Sequence, residues 1–278
     1  QDCDLNILEG FSIDSLSPDS PEYLHLLIES KKIAYEDRAT YYADPDFSEA
    51  PLERLLSKEY AKERAALIDF DRAATSVPLS NLDQPSDTTY LTAADGEGNM
   101  VSLIQSNSAN FGSKFVPDGL GFAMQNRGQF FSLDPKHRNR LEPHKRPFHT
   151  IIPAFVTKDA APVFSFGVLG GGFQPQGHVQ ILMNLFEFGM SVQQAGECPR
   201  VAHWGSSAPD GGTMVDGGRV VLEPGLPAGT AEALATKGHT VAGDMAVNGG
   251  YQGIWREEGP LRYFGGTDPR FDGCAIGY

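Results

Sequence analysis

The sequence predicts an α+β fold in which antiparallel strand pairs pack against helices. Short apolar segments flank turn-forming residues in pairs, and amphipathic helical patterns lie before and between these pairs. A polar segment at residues 75–87, which reads as an exposed linker, separates a helical first part from a strand-rich second part. The 278 residues are enough to bury a substantial core, as one large domain or two small ones.

Capping signals and apolar spacing predict the helices. Asp19-Ser20 stands directly before Pro21, which favours a helix start at this point. The helical spacing that follows predicts one buried face made of Tyr23, Leu26, Leu27, Ser30, Ile33 and Ala34. A second helix is expected from about Pro51, with an inner side of Leu52, Leu55, Leu56 and Tyr60. Two later helices are expected, through Val179–Phe186 with an end at Gly189, and over Gly229–Lys237.

Three hairpins are predicted from turn chemistry between apolar runs. The first has the turn Asp95–Asn99 between Thr88–Ala94 and Met100–Ser106. The second joins Ile152–Thr157 to Val163–Val168. The third is expected around Gly217-Gly218, between Met214–Asp216 and Val220–Leu222.

Composition excludes several classes of partner. The formal net charge of −14 disfavours nucleic acid or an anionic membrane surface, and no apolar run approaches the roughly 18 residues that span a bilayer. The three cysteines are widely spaced, and no ligand cluster with metal spacing is present, so we expect no metal or organic cofactor. Because Gln1 is not a start methionine, we expect either that a segment has been removed or that these residues are part of a longer product, and the compartment stays open.

Two features could carry chemistry. Gly170-Gly171-Gly172 lacks the spacing of a dinucleotide site, but consecutive glycines before a helix expose N–H groups that favour an anion. At the junction of Asp87 and Thr88, cleavage would give Thr88 a free α-amine beside its own hydroxyl. An amine with a pKa of roughly 8 could then activate that hydroxyl as a nucleophile. From the residues alone, the favoured interpretation of Thr88 is an ordinary first residue of a β-strand.

An ordered set of motifs decides between these readings. Asp87-Thr88-Thr89-Tyr90 is followed by the turn Asp95–Asn99, then by Lys145-Arg146-Pro147, Gly170-Gly171, Pro199-Arg200 and Thr267-Asp268-Pro269-Arg270. Upstream, Asp44-Pro45-Asp46-Phe47 closes a helical segment. In this order the motifs resemble the γ-glutamyltransferase family of N-terminal-nucleophile hydrolases over nearly the whole chain.

The resemblance implies a four-layer αββα sandwich and a precursor that cuts itself before Thr88. Residues 1–87 would then be the end of a large subunit, and residues 88–278 the 191-residue small catalytic subunit. The remaining large-subunit segment would be a partner, within a heterodimer or a dimer of heterodimers. In the family, that segment supplies further strands and an arginine that holds the substrate carboxylate. The substrate would be a small-molecule amide.

The resemblance also assigns catalytic roles. Thr88 matches the nucleophile, and Ser106 falls where a family threonine hydrogen-bonds the nucleophile. Gly170 and Gly171 match the pair whose N–H groups face the developing oxyanion, a contact in which one donor is typically worth about 3 to 4 kcal/mol.

The expected substrate-binding residues depart from the transpeptidase pattern. Ser108 replaces an asparagine, Arg127 and Phe130 replace a glutamine and an aspartate, and His149 and Thr150 replace a serine pair. Loss of the aspartate removes the charge partner of an α-ammonium, whereas Arg127 offers a fork suited to a carboxylate. These changes resemble the acylase-like branch of the family, which includes cephalosporin and glutaryl acylases and small-amide hydrolases, and this branch is the alternative function.

The leading hypothesis is therefore an amide hydrolase or acyltransferase that acts on γ-glutamyl or related dicarboxylic monoamides. A binding or assembly module without activity is the alternative from another class. We interpret His149 and His178 first as hydrogen-bonded or packing histidines. For the basic segment Lys136–Arg146, a solvated loop is the favoured interpretation, and a rim that attracts anionic substrates is the alternative.

Overall fold

The computed structural model describes residues 2–75, 86–242, 249–257, 259 and 261–278. Most of the predicted linker, residues 76–85, lies outside this range. The described chain forms two compact units, each assembled from three separate stretches. The first contains the described parts of Gln1–Asp83, Arg127–His149 and Pro199–Val247, and the second those of Gln84–Asn126, Thr150–Cys198 and Asn248–Tyr278.

Four helices come first and are followed by strands with three further helices between them, and this mixture confirms the predicted α+β class. The helices are α1 (Asp2–Leu8), α2 (Pro21–Tyr41), α3 (Leu52–Leu55), α4 (Lys58–Ala65), α5 (Gln174–Phe186), α6 (Val192–Glu197) and α7 (Thr230–Thr236). The strands are β1 (Ser86–Ala94), β2 (Met100–Ala109), β3 (Ala154–Lys158), β4 (Ala161–Val168), β5 (Val201–Trp204), β6 (Arg219–Leu222), β7 (Val241–Ala242), β8 (Tyr251–Arg256) and β9 (Tyr263–Thr267). Short 3-10 helices cover Ile13–Ser15, Arg127–Phe130 and Gly171–Phe173. No described helix is both long enough and apolar enough to cross a bilayer.

Helix α2 organises the first unit. It starts as predicted, with Pro21 in the first turn and the Ser20 hydroxyl accepting the N–H of Tyr23 at 3.3 Å. All six residues of the predicted buried face are buried, and charged residues of the opposite side are buried as well. Lys32 lies 2.7 Å from Glu29, and Lys31 donates to Ser206 at 2.7 Å, so local partners make this burial possible.

The helix predicted from Pro51 is two short helices. It breaks between α3 and α4 because the Ser57 hydroxyl accepts the N–H of Tyr60 at 3.2 Å and caps α4. Of the expected inner side, Leu55 is buried, whereas Leu52 and Leu56 are exposed.

The third predicted hairpin was also wrong. Residues 214–216 form no strand, and β6 pairs with β5 in antiparallel and with β7 in parallel orientation. The two glycines instead make a turn with positive φ, in which the Gly217 carbonyl accepts a hydrogen bond from His203 at 2.7 Å. Helix α7 confirms the predicted helix at this end of the chain.

The second unit holds the two confirmed hairpins. Strands β1 and β2 form a two-stranded antiparallel sheet, and β3 and β4 are the edge and second strands of a sheet with the order β3-β4-β8-β9. Helix α5, which was also predicted, follows β4 directly. The Tyr90 ring of β1 packs against Gly167 of β4, where a Cβ would lie 2.4 Å from the ring. This close approach holds the hairpin that starts at the predicted cleavage point against the four-stranded sheet.

Candidate active site

Thr88 lies inside strand β1, two residues after the strand begins. Opposite this point the register of β1 and β2 shifts, since Asp87 pairs with Ser108 and Thr88 pairs with Ser106. Asn107 is therefore an extra residue on β2, which is the arrangement of a β-bulge. Bulges of this kind re-aim side chains and interrupt strand pairing, and this one faces the Asp87–Thr88 bond.

The Thr88 hydroxyl is hydrogen-bonded to Ser106. Its Oγ1 donates to the Ser106 Oγ at 3.0 Å. The same Ser106 oxygen accepts the backbone N–H of Ser108 at 2.9 Å, so the bulge holds the acceptor in place. Ser106 is thus placed to orient the oxygen that the sequence predicts as the nucleophile.

Gly170 and Gly171 form the turn between β4 and α5. Their φ angles are +124° and +57°, values that favour glycine. Neither N–H donates a hydrogen bond to any described residue, and Gly171 opens the short 3-10 helix Gly171–Phe173, which contacts β1. Two unused donors at a helix start, beside the strand that carries Thr88, are suited to an oxyanion.

His178 supports this turn from within α5. Its imidazole is fully buried, and Nε2 accepts the Val168 N–H at 3.1 Å, close to the end of β4. Burial lowers the pKa of His178 to about 3, so the ring is neutral at pH 7. These contacts match the interpretation of His178 as a packing histidine.

Two of the five expected substrate-binding residues belong to the second unit. Ser108 has a φ of +75°, a conformation that is uncommon for residues other than glycine, asparagine and aspartate. Thr150 is partly buried in an irregular segment before β3. Their contacts to a substrate stay a prediction.

The other three belong to the first unit. Arg127 and Phe130 lie in the 3-10 helix Arg127–Phe130, and both are buried. The Phe130 ring packs edge-on against Phe148 with centroids 6.4 Å apart, and burial lowers the pKa of Arg127. His149 is exposed, and its Nδ1 donates to the Pro147 carbonyl at 2.7 Å, which leaves Nε2 as an acceptor. Their roles also stay a prediction.

The basic segment Lys136–Arg146 is largely engaged with its own unit. Arg138 donates to the Glu49 carbonyl at 2.8 Å, and Lys145 and Arg140 both lie beside Glu142, at 3.1 and 3.2 Å. Cations that already have close acceptors attract an external anion less strongly. The structure therefore favours a loop fixed by its own hydrogen bonds and ion pairs over a rim that attracts anionic substrates.

The structure brings together one cluster of potential metal ligands that the sequence did not predict. His25, Glu29 and His239 are buried, and one potential metal-ligand atom of each lies within 4.8 Å of the others. His25 Nε2 donates to the Asp69 carbonyl, so His25 Nδ1 accepts from His239 Nε2 at 2.8 Å. The Lys32 ammonium, 2.7 Å from Glu29, opposes a cation, and we assign the cluster a structural role. A separation of 214 residues between the two histidines explains why no spacing signal exists.

Comparison with known proteins gives consistent matches. The family model for γ-glutamyltranspeptidase matches residues 3–278. The chain is 40% identical to the glutathione hydrolase-like YwrD proenzyme of Bacillus subtilis over 98% of its own length and 50% of that protein. It is 35% identical to the acylase ACY 1 proenzyme of Pseudomonas sp. strain SE83, over 98% of this chain and 46% of that protein. The chain thus spans about half the length of the curated relatives it matches.

Solved structures agree with these relatives. The match to a cephalosporin acylase from Bacillus halodurans covers all of this chain and 49% of the acylase chain, with a TM-score of 0.85 and 41% identity. A chain of the γ-glutamyltranspeptidase from Pseudomonas nitroreducens matches over 99% of its length and 68% of this chain, with a TM-score of 0.59 and 25% identity. The predicted N-terminal-nucleophile hydrolase fold is confirmed. By its sequence match and its fold, this chain belongs to the γ-glutamyltranspeptidase family.

Proposed function

We propose that this protein is an amide hydrolase or acyltransferase that uses Thr88 as an N-terminal nucleophile. The observation that carries the proposal is the 3.0 Å hydrogen bond from Thr88 Oγ1 to Ser106 Oγ, at the register shift beside the Asp87–Thr88 bond. Ser106 orients the Thr88 hydroxyl. Cleavage of the Asp87–Thr88 peptide bond frees the α-amine of Thr88, which then acts as the base.

The chemistry follows from a free α-amine on Thr88. The amine, with an ordinary pKa of roughly 8, takes the proton from Oγ1, which attacks the carbonyl carbon of the substrate amide. The N–H groups of Gly170 and Gly171 stabilise the oxyanion, and the protonated amine passes its proton to the leaving nitrogen. Water or a second amine then releases the acyl group from Thr88.

The subunit boundary is part of the proposal. The P. nitroreducens chain matches 68% of this chain, and residues 88–278 make up about 69% of it. The two named relatives are proenzymes about twice as long as this chain. The first observation supports cleavage before Thr88, and the second supports a partner segment from the rest of a longer proenzyme. We propose that the active protein contains both products of cleavage together with that segment.

We propose further that the preferred acyl group is a dicarboxylic one that lacks the α-amino group. Phe130 stands where the family pattern places an aspartate, and its ring packs against Phe148. An aromatic ring offers no charge partner to an ammonium, whereas the Arg127 guanidinium is a donor fork suited to a carboxylate. The likeness to acylases supports this preference, and the 40% identity to a glutathione hydrolase-like protein favours γ-glutamyl compounds as the second candidate.

Two anilides separate these candidates. Glutaryl-p-nitroanilide and γ-glutamyl-p-nitroanilide differ only in the α-amino group, and the release of nitroaniline gives kcat/KM for each. We expect the glutaryl compound to be the better substrate by about tenfold or more, because a lost charge-assisted hydrogen bond costs about 1.5 to 3 kcal/mol. A hundredfold preference for the γ-glutamyl compound would refute the acyl-group assignment and leave the Thr88 mechanism intact.

Variants of Thr88 test the mechanism itself. Thr88→Val keeps the shape of the side chain without the hydroxyl, and we expect it to be inactive on both anilides. Thr88→Ser keeps the hydroxyl and should retain measurable activity. Equal activity of wild type and Thr88→Val would refute Thr88 as the nucleophile. No activity of a processed wild type on any acyl anilide would favour the binding-module alternative.

A further inference from the structure

The bulge opposite the Asp87–Thr88 bond is contacted by a loop of the second unit that returns to strand β2. Residues 110–125 leave the end of β2 and fold back on themselves. Ser113 donates to the Met124 carbonyl from both its N–H and its hydroxyl, at 2.8 and 2.9 Å. The loop ends beside the bulge at Asn126, which is partly buried and belongs to the same unit as β2.

Asn126 bonds to both peptide groups that flank Ser108. Its backbone N–H donates to the Asn107 carbonyl at 3.2 Å, and its side-chain Oδ1 accepts the Ala109 N–H at 3.0 Å. The carbonyl belongs to the peptide group before Ser108, and the N–H belongs to the peptide group after it. Since φ and ψ of Ser108 are the rotations between these two planar groups, Asn126 fixes the backbone conformation of Ser108.

The conformation that Asn126 fixes is one that serine seldom adopts. The φ of Ser108 is +75°, in the left-handed region, where the Cβ of any residue other than glycine is crowded. Strain of this kind persists only where the surrounding contacts over-determine it. The two hydrogen bonds of Asn126 supply that restraint.

The conformation of Ser108 in turn affects the predicted nucleophile. The Ser108 N–H donates to Ser106 Oγ at 2.9 Å, and the same oxygen accepts the Thr88 hydroxyl at 3.0 Å. Ser108 also pairs with Asp87 across the two strands, so it lies opposite the residue whose carbonyl group self-cleavage would attack. A rotation of Ser108 would turn its N–H away from Ser106 and release the acceptor that orients Thr88.

We infer that Asn126 is a positioning residue, which holds Ser108 in its left-handed conformation and so keeps the Thr88 hydroxyl aligned for self-cleavage and for catalysis. The inference rests on the proposed function, in which Thr88 is the nucleophile. In self-cleavage Thr88 Oγ1 attacks the Asp87 carbonyl carbon, the C–N bond breaks and the nitrogen takes up the hydroxyl proton. Water then hydrolyses the ester, which leaves an Asp87 carboxylate and a Thr88 with a free amine. Asn126 exchanges no proton or bond in these steps.

Substitutions at Asn126 test this role through two rates. Asn126→Ala removes the acceptor of the Ala109 N–H and keeps the backbone donor. We expect it to slow the appearance of the Thr88 N-terminus after synthesis by about 10- to 100-fold. On whichever of the two acyl anilides wild type cleaves faster, kcat per cut chain should fall by a similar factor, while KM changes by less than about threefold. Asn126→Asp keeps an acceptor oxygen, and both of its rates should stay within about threefold of wild type.

A second substitution separates positioning through Ser108 from a general loss of structure. Glycine adopts a positive φ without strain, so in a Ser108→Gly background the effect of Asn126→Ala on self-cleavage should shrink to about threefold or less. Self-cleavage involves no added substrate, so a contact between Ser108 and the acyl group cannot affect this comparison. An equal effect of Asn126→Ala in both backgrounds would overturn the positioning role, and so would unchanged rates in Asn126→Ala alone.

Asn99→Ala is the matched control at the other end of the same hairpin. It removes a side-chain hydrogen bond to Asp95, at 2.8 Å, and should leave self-cleavage and kcat unchanged. Amides of residues 107–109 should exchange faster in Asn126→Ala than in wild type or Asn99→Ala, while the rest of the hairpin keeps the wild-type rates. Faster exchange throughout the hairpin would show a general structural role and overturn the inference. A wild type that is never cut before Thr88 and is inactive on both anilides would refute the proposed function, and the inference would fall with it.

Discussion

The imidazole of His178 should make the second unit sensitive to acid. In the folded protein its pKa is lowered to about 3, because the ring is fully buried and Nε2 accepts the Val168 N–H at 3.1 Å. In the unfolded chain the pKa returns to about 6.5. Between these values the unfolded state binds more protons than the folded state, so stability falls as the pH falls.

The size of the effect follows from the two pKa values. The neutral His178 ring makes its full contribution to the free energy of unfolding above about pH 6.5. This contribution is lost progressively as the pH falls towards 3. From pH 7.5 to pH 5.0 the loss should be about 2 kcal/mol. Protonation also removes the lone pair that accepts from Val168, so the β4–α5 turn that carries Gly170 and Gly171 should open first.

Urea unfolding of the protein at the two pH values measures this loss. His178→Gln places an amide oxygen near the position of Nε2 and does not titrate. The variant should be less stable than wild type at pH 7.5 but should lose about 2 kcal/mol less on the shift to pH 5.0. His144→Gln changes an exposed histidine and should keep the wild-type difference. If His178→Gln loses as much stability as wild type between pH 7.5 and pH 5.0, His178 is not the source of the acid sensitivity.

Two further pairs of variants test the contact of the nucleophile with Ser106 and the packing of strand β1. Ser106→Ala removes the acceptor of the Thr88 hydroxyl and should lower kcat/KM by roughly 10- to 100-fold, with recovery in Ser106→Thr; an unchanged rate would show that this hydrogen bond is not needed. Gly167→Ala would place a Cβ 2.4 Å from the Tyr90 ring and should cost about 1 to 3 kcal/mol in the free energy of unfolding. Gly96→Ala, with no atom within 4 Å of its Cβ, should cost less than Gly167→Ala, and equal losses would contradict the packing assigned to Tyr90.

Local chemistry explains what the sequence could predict. The first hairpin was predictable because Asp95 accepts the N–H groups of Glu97 and Asn99, a turn made by neighbouring residues. The start of α2 at Pro21 was predictable for the same reason, since the cap lies one residue away. The order of motifs along the chain then identified Thr88 and Ser106, which the structure places 3.0 Å apart.

Long-range pairing explains what the sequence could not predict. Strand β6 pairs with β5 across the long connection of residues 205–218, and with β7 across a connection that contains α7, so the short glycine turn before β6 was misleading. The charged side of α2 is buried because Lys31 meets His203 and Ser206, 172 and 175 residues away. The bonds between Asp44 and Arg146 join residues 102 positions apart, and no periodicity reveals such a contact.

Mass spectrometry and N-terminal sequencing of the purified product test the central claim most directly. Wild type should contain a chain whose N-terminal residue is Thr88. Thr88→Ala should remain one uncut chain, and Thr88→Ser should still be cleaved at the same bond. Cleavage of Thr88→Ala between Asp87 and residue 88, or an active wild type that is never cut there, would contradict the role of Thr88.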